Sequence, residues 1–169
     1  MALYRKLLYL DCYPPVITLI PASSSMSSPL LFRRSQSIYI RSSLKISCST
    51  SLASTINWRV KNCTSSCSLQ IQLGPSIITT TSELFLPGKI LSYGIYELTL
   101  TVTMTASPTM TSSVSAYIKI NPSDMVANLI QFGTAMITHG YRQSLTLNPG
   151  EYSIDPDTEI FNRSVNYDE

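Results

Sequence analysis

Residues 98–105 read LTLTVTMT, an apolar side chain and a threonine alternating four times. A period of two sends Leu98, Leu100, Val102 and Met104 to one face of an extended strand and the four threonines to the other. On a helix the same four apolar side chains would be spread around the axis. The stretch is therefore a half-buried strand. Its apolar row needs a second layer to cover it, and its threonines suit a solvated face because their β-branch fits the pleat.

The same period runs outward in both directions. Ile38, Ile40, Leu44, Ile46 and Cys48 share a face, with a bulge or bend expected near residues 41–43. Ile56, Trp58 and Val60 follow, then Leu69, Ile71 and Leu73, then Leu84 and Leu86. Beyond the opening stretch come Val114, Ala116, Ile118 and Ile120. Gly74-Pro75, Pro87-Gly88, Gly94 and Pro108 supply turn signals between these runs. About seven short strands at this spacing predict an all-β antiparallel sandwich over residues 37–121, with Trp58 buried beside Leu98, Leu100, Val102 and Met104. Residues 1–36 read as an N-terminal strand, around VITLI (16–20), followed by a Ser-rich solvated loop, PASSSMSSP (21–29). After INPSDM (120–125) a new pattern begins. Residues 122–169 hold at most about four strands, half a sandwich, which predicts a dynamic partial second repeat.

Charged residues make up 13% of the chain, against about 25% in an average soluble domain. Serine and threonine take their place, with 27 and 17 residues. The twelve Lys and Arg side chains are scattered and Arg33-Arg34 is the only adjacent Arg pair, so no phosphate-tracking surface or nucleic-acid partner is expected. No run reaches the roughly 20 apolar residues of a membrane span. The start, MALYRKLLYLDC, is a poor signal peptide because Asp11 interrupts its apolar run. An internal fragment or a shortened isoform reconciles that start with a secreted-looking interior.

Four cysteines, Cys12, Cys48, Cys63 and Cys67, fit two disulfides in an oxidising compartment, with three pairings open. Cys48 is expected to join Cys63 or Cys67, since a turn of about seven residues would return the chain beside it, leaving Cys12 the other partner or free. Structural zinc is not expected: Cys63 and Cys67 form one close pair, no second pair exists, and His139 is the only histidine.

No catalytic or cofactor constellation is present in the sequence. His139 has no nucleophile elbow, and no glycine-rich phosphate loop occurs among the six glycines. Asp155, Asp157 and Glu159 alternate in SIDPDTE; they read as a proline-fixed turn with Asx hydrogen bonds, or as a calcium cluster. Tyr93, Tyr96 and Tyr117 are candidate aromatic contacts for a glycan, or half-buried strand packing. Asn62-Cys63-Thr64 and Asn162-Arg163-Ser164 are N-glycosylation acceptors by sequence, and Asn62 is expected on a polar loop between strands. Even cysteines, sequons and strands together favour an exterior domain.

Four segments in series resemble the receptor for egg jelly (REJ) module of polycystin-family receptors. CYPPVITLIP, IYIRSSLKISC and INWRVKNC are similar to its opening, and LFLPGKILSYGIYELTLTVTM to its most recognisable segment. AYIKINPSDMVANLIQFGT followed by SLTLNPGEYSIDPD resembles its passage into the next repeat, which ends Ser-x-Asp-Pro-Asp. The resemblance implies fibronectin-type-III or immunoglobulin-like sandwiches in tandem. It implies the extracellular stalk of a large membrane glycoprotein in a setting of calcium signalling, cilia or sperm–egg contact. Its implied partners are neighbouring domains of that receptor and extracellular glycans or egg-coat and matrix glycoproteins. Channel activity does not carry over to this chain.

Overall fold

A computed structural model describes residues 12–22, 24–49, 51–63, 66–128, 140–144 and 149–158. In chain order its strands are β1 (Val16–Ile20), β2 (Leu30–Arg33), β3 (Ile38–Lys45), β4 (Ser54–Asn62), β5 (Leu69–Ile71), β6 (Glu83–Leu86), β7 (Gly94–Met104) and β8 (Ser107–Asn121), followed by a single helical turn α1 (Pro149–Tyr152). They form two sheets, a three-stranded one ordered β1-β3-β6 and a five-stranded one ordered β2-β8-β7-β4-β5.

The LTLTVTMT stretch lies in β7 up to Met104, in the middle of the larger sheet, with β4 on one side and β8 on the other. Leu98, Leu100, Val102 and Met104 have no exposed surface. Trp58 and Val60 of β4 and Ala116, Ile118 and Ile120 of β8 bury the same face. From the smaller sheet Leu19, Ile38, Ile40, Leu84 and Leu86 join all of these but Met104 in one hydrophobic cluster, so the two sheets meet face to face. On the outer face the hydroxyls pair across strands: Thr99 with Ser115 and Thr101 with Ser113 at 2.9 Å, and Thr111 to Thr103 at 3.1 Å. Two contacts hold Trp58 in place. Its amide donates to the Thr79 carbonyl at 2.8 Å and its indole Nε1 to the Thr81 carbonyl at 2.9 Å.

Several expectations need correction. β3 keeps one continuous register with β1 and β6 and has no bulge near residues 41–43. Ser42 occupies the inward position between Ile40 and Leu44, and both its amide and its hydroxyl donate to the Ser82 carbonyl at 2.8 Å. The irregularity falls instead at the β7–β8 turn, between Thr103 and Met104. The sandwich is not wholly antiparallel, because β2 runs parallel to β8. The chain leaves the smaller sheet after β1 and crosses to the larger one, which sets that direction. The Ser-rich crossing is pinned rather than simply solvated: Ser24 Oγ donates to the Tyr117 carbonyl at 2.6 Å and accepts from its amide at 2.8 Å.

The cysteines are all paired, but as Cys12–Cys48 and Cys63–Cys67. Cys48 does not reach Cys63 or Cys67. β3 and β4 are consecutive in sequence yet belong to different sheets, so the link after Cys48 crosses between layers instead of closing a hairpin. Cys12 lies opposite Cys48 in a bridge that prolongs the β1–β3 pairing, where the Tyr13 amide donates to the Ser47 carbonyl at 3.0 Å.

Two stability measurements follow from this packing. Trp58→Ala empties a site that is 2% exposed and is expected to cost about 3–5 kcal/mol in a circular-dichroism denaturant titration, and a loss of no more than about 0.5 kcal/mol would contradict the packing. Cys12→Ser with Cys48→Ser opens a link across 36 residues and is expected to lower stability by about 2–5 kcal/mol in the same titration.

Candidate functional site

The densest polar cluster among the described residues joins the segment after β8 to the end of the sandwich. It begins with the turn between β6 and β7. Gly88 sits where a side chain would collide with backbone: an added Cβ would lie 2.3 Å from the Ser35 carbonyl oxygen. That close approach lets the Lys89 amide donate to the Arg34 carbonyl at 2.7 Å, with Lys89 at φ 68°. The β2–β3 connection is thereby tied to the β6–β7 turn, and Arg34 lies over the Tyr93 ring at 5.3 Å from its centroid. Next to it the Tyr96 hydroxyl donates to the Ser92 carbonyl at 2.9 Å, fixing the turn that carries Tyr93.

Asp157 enters this corner from the downstream segment and is 7% exposed. Its Oδ2 accepts from the Tyr93 hydroxyl and the Ser123 amide, both at 2.9 Å, and its Oδ1 accepts from the Ser123 hydroxyl at 2.7 Å. Arg34 Nη1 donates to the Asp157 carbonyl at 3.3 Å. The Ser123 oxygen also meets the Ser35 amide at 3.0 Å and the Ser35 hydroxyl at 2.7 Å. Burial pushes the Asp157 carboxyl up, but the Ser123 and Tyr93 donors and the Arg34 charge outweigh it and hold the group below its ordinary value. Burial, followed by the bond to Asp157, raises the Tyr93 phenol.

The Asx-turn reading of SIDPDTE is the one observed. Asp155 Oδ1 accepts from the Asp157 amide at 2.8 Å and Asp155 Oδ2 from the Thr158 hydroxyl at 2.9 Å. This turns the two aspartates to different tasks, Asp155 closing the turn and Asp157 pointing into the corner; Glu159 lies outside the described residues. The segment is held further back along the chain by paired amides and carbonyls of Val126 and Ile154 at 2.9 Å and by Asn128 Nδ2 to the Tyr152 carbonyl at 2.9 Å.

The other sequence candidates are dispersed. Tyr96 is buried, and the half-buried Tyr117 donates to Glu97 at 3.3 Å. Cys63, Cys67 and Glu97 bring their ligand atoms within 4.8 Å of one another, but both sulfurs belong to a disulfide. Asn62 is the last residue of β4 rather than part of a loop. Asn162 and His139 lie outside the described residues. Among the described residues no helix is long and apolar enough to cross a membrane. Sequence reasoning missed Arg34, Ser35 and Ser123; the visible signal was the pair of similar corners NPSD (121–124) and DPD (155–157).

A family-wide profile for the REJ domain matches residues 42–168, taking in β4 to β8 and the Asp157 segment. The chain belongs to the REJ domain family. No similar curated protein and no similar solved structure was found. REJ domains are extracellular, non-catalytic modules of polycystin-family proteins. In this REJ domain the profile covers Tyr93, Ser123 and Asp157, whereas Arg34 and Ser35 precede it.

The corner has a defined pH response. Because the folded Asp157 carboxyl lies below its ordinary 3.8, its contribution is complete above that value and is lost as the pH falls through the lower folded value. Protection of the Ile154 amide, its exchange rate relative to an unfolded peptide at the same pH, is therefore expected to be high at neutral pH and to fall in acid, with Asp157→Asn poorly protected throughout. A Gly88→Ala substitution attacks the same corner from the other side and is expected to loosen it, read as faster Lys89 and Ile154 exchange with the β7 amides unchanged.

Proposed function

We propose that this REJ chain is a structural segment of the extracellular stalk of a polycystin-type membrane receptor, where it sets the orientation of neighbouring domains. The observation that carries this is the Asp157 corner. Asp157 ties the chain downstream of the sandwich to three separate parts of it: its carboxylate accepts from the β6–β7 turn and from the segment just after β8, and its carbonyl accepts from Arg34 of the β2–β3 connection. Such a contact fixes direction between successive modules and needs no ligand. Residues 37–121 are read accordingly as the body of the sandwich, residues 1–36 as a leading segment that adds β1 to one of its sheets and β2 to the other, and residues 122–169 as the beginning of a second repeat. The neighbouring repeats of the receptor are its partners, and a calcium-signalling, ciliary or sperm–egg setting follows from the family resemblance alone.

Three features support an immunoglobulin-like variety of sandwich. The first strand pair divides between the two sheets, β2 lies parallel to the last strand, and a tryptophan is buried on the fourth strand, at the place of strand C. The Tyr96 hydroxyl bonded to Ser92, at the start of the penultimate strand, matches a tyrosine corner. Leu98 stands where an immunoglobulin domain carries its second inter-sheet cysteine, two residues after that tyrosine.

A second reading is a glycan- or matrix-binding face. Tyr39 and Phe85 are cross-strand neighbours on the outer face of the smaller sheet, 39% and 52% exposed. Glu83 accepts from the Tyr39 hydroxyl, and Arg41 stacks on the Tyr39 ring at 4.8 Å. Exposed aromatics beside a carboxylate and a guanidinium suit a sugar ring. A glycan array separates the two. The structural reading expects no saturable signal from the full chain, and a signal abolished by Phe85→Ala would replace it with the binding reading.

A further inference from the structure

The Asn62 sequon has a disulfide cysteine as its middle residue. Asn62 closes β4, register-paired with Leu69 of β5 on one side and Tyr96 of β7 on the other. The Cys63 amide donates to the Ile95 carbonyl at 2.7 Å, its side chain has no exposed surface, and its sulfur is bonded to Cys67. Asn62 shares the inward parity of Trp58 and Val60 but is half-buried, at the end of the sheet. A glycosyl transferase must bend the Asn-x-Thr backbone to reach the side-chain amide. A tripeptide laddered at its first residue and cross-linked at its second cannot be bent in that way.

We propose that Asn62 is a glycan acceptor only while the chain is open, and that closure of Cys63–Cys67 ends its availability, so that thiol oxidation sets its occupancy. In the transfer, Asn62 Nδ2 bonds to the anomeric carbon of a lipid-diphosphate-linked oligosaccharide. The anomeric C–O bond breaks, the diphosphate leaves with the electron pair, and the amide proton passes to a base. In the competing step the Cys63 and Cys67 thiols give up two electrons and two protons to the disulfide of an oxidoreductase, which becomes a dithiol. The disulfide closes a link only four residues apart in sequence, so the oxidation can precede assembly of the larger sheet. The same half-buried position at the sheet end leaves room for a glycan already attached when β4 takes its place.

The inference rests on the exterior reading, and the test keeps the two apart. The full chain, with Asn162→Gln to remove the other sequon, is directed into the secretory pathway of cultured cells. Occupancy is read on denatured protein as the mass lost to an endoglycosidase, so variants that fold poorly still report. The wild-type cysteines are expected to give a mixture of glycosylated and bare chains. Cys67→Ser, which leaves the sequon unchanged, and wild type made under added reductant are both expected to lose the bare species. Asn62→Gln is expected to lose the shift altogether. Equal occupancy in the wild type and Cys67→Ser, or no glycan in either, would overturn the coupling while leaving the exterior reading in place if the disulfides map as closed. Free Cys63 and Cys67 thiols in wild-type protein from untreated cells would overturn both.

Discussion

The row Leu98, Leu100, Val102 and Met104 facing the smaller sheet is the constraint on which the rest depends. Full burial of one such side chain is worth about 1.5–3 kcal/mol, and a domain of this kind keeps only about 5–15 kcal/mol of net stability. Losing two of the four would therefore consume much of the margin. β7 can hold that row because it is flanked on both edges: β4 and β8 satisfy its backbone, leaving its side chains free to pack inward and its threonines to pair outward. Every other strand is ordered by reference to this one. β4 and β8 lie beside it, β5 and β2 lie beside them, and Ile38, Ile40, Leu84 and Leu86 of the smaller sheet share one cluster with its Leu98, Leu100 and Val102.

The turn leading into β7 links that core to the corner occupied by Asp157. Tyr96 is buried with the core while its hydroxyl reaches back to Ser92. That short loop presents Tyr93 outward, where its own hydroxyl meets Asp157. Two tyrosines three residues apart thus do opposite things with the same functional group, one closing a local loop and one reaching a segment 64 residues away.

What the sequence discloses here is mostly what has a short period. The strands β3, β4, β6, β7 and β8 show through alternation, because one face of each is apolar and the other is hydroxyl or charged. The Asp155 turn shows through its proline and its neighbouring hydroxyl. The four-residue strand β2 is too short to show a period, and its parallel direction depends on a crossing between sheets that no local pattern encodes. The disulfide pairing fails to show for the same reason, since sheet membership rather than chain distance decides which cysteines meet. The Asp157 corner gathers Arg34, Tyr93 and Ser123 from sequence separations of 123, 64 and 34 residues. Arg34 looks like an ordinary loop cation until those partners are brought beside it.

The Cys12–Cys48 bond also decides how the domain would carry a pull on its ends. With the bond closed, residues 13–47 form a covalent loop that end-to-end load bypasses. Load entering at Cys12 crosses the sulfurs to Cys48, enters β4 at Ser54 and leaves through β8 at Asn121. β4 and β8 point the same way, each antiparallel to the β7 strand between them. Pulling on the start of one and the end of the other slides the ladders lengthwise, so their hydrogen bonds share the load at once instead of parting one after another. With the bond open, the same pull reaches β1 first, whose five register pairs with β3 lie at the rim of the smaller sheet. The oxidation state of one pair of sulfurs therefore selects between a stiff load path through the central strands and a softer one through the edge.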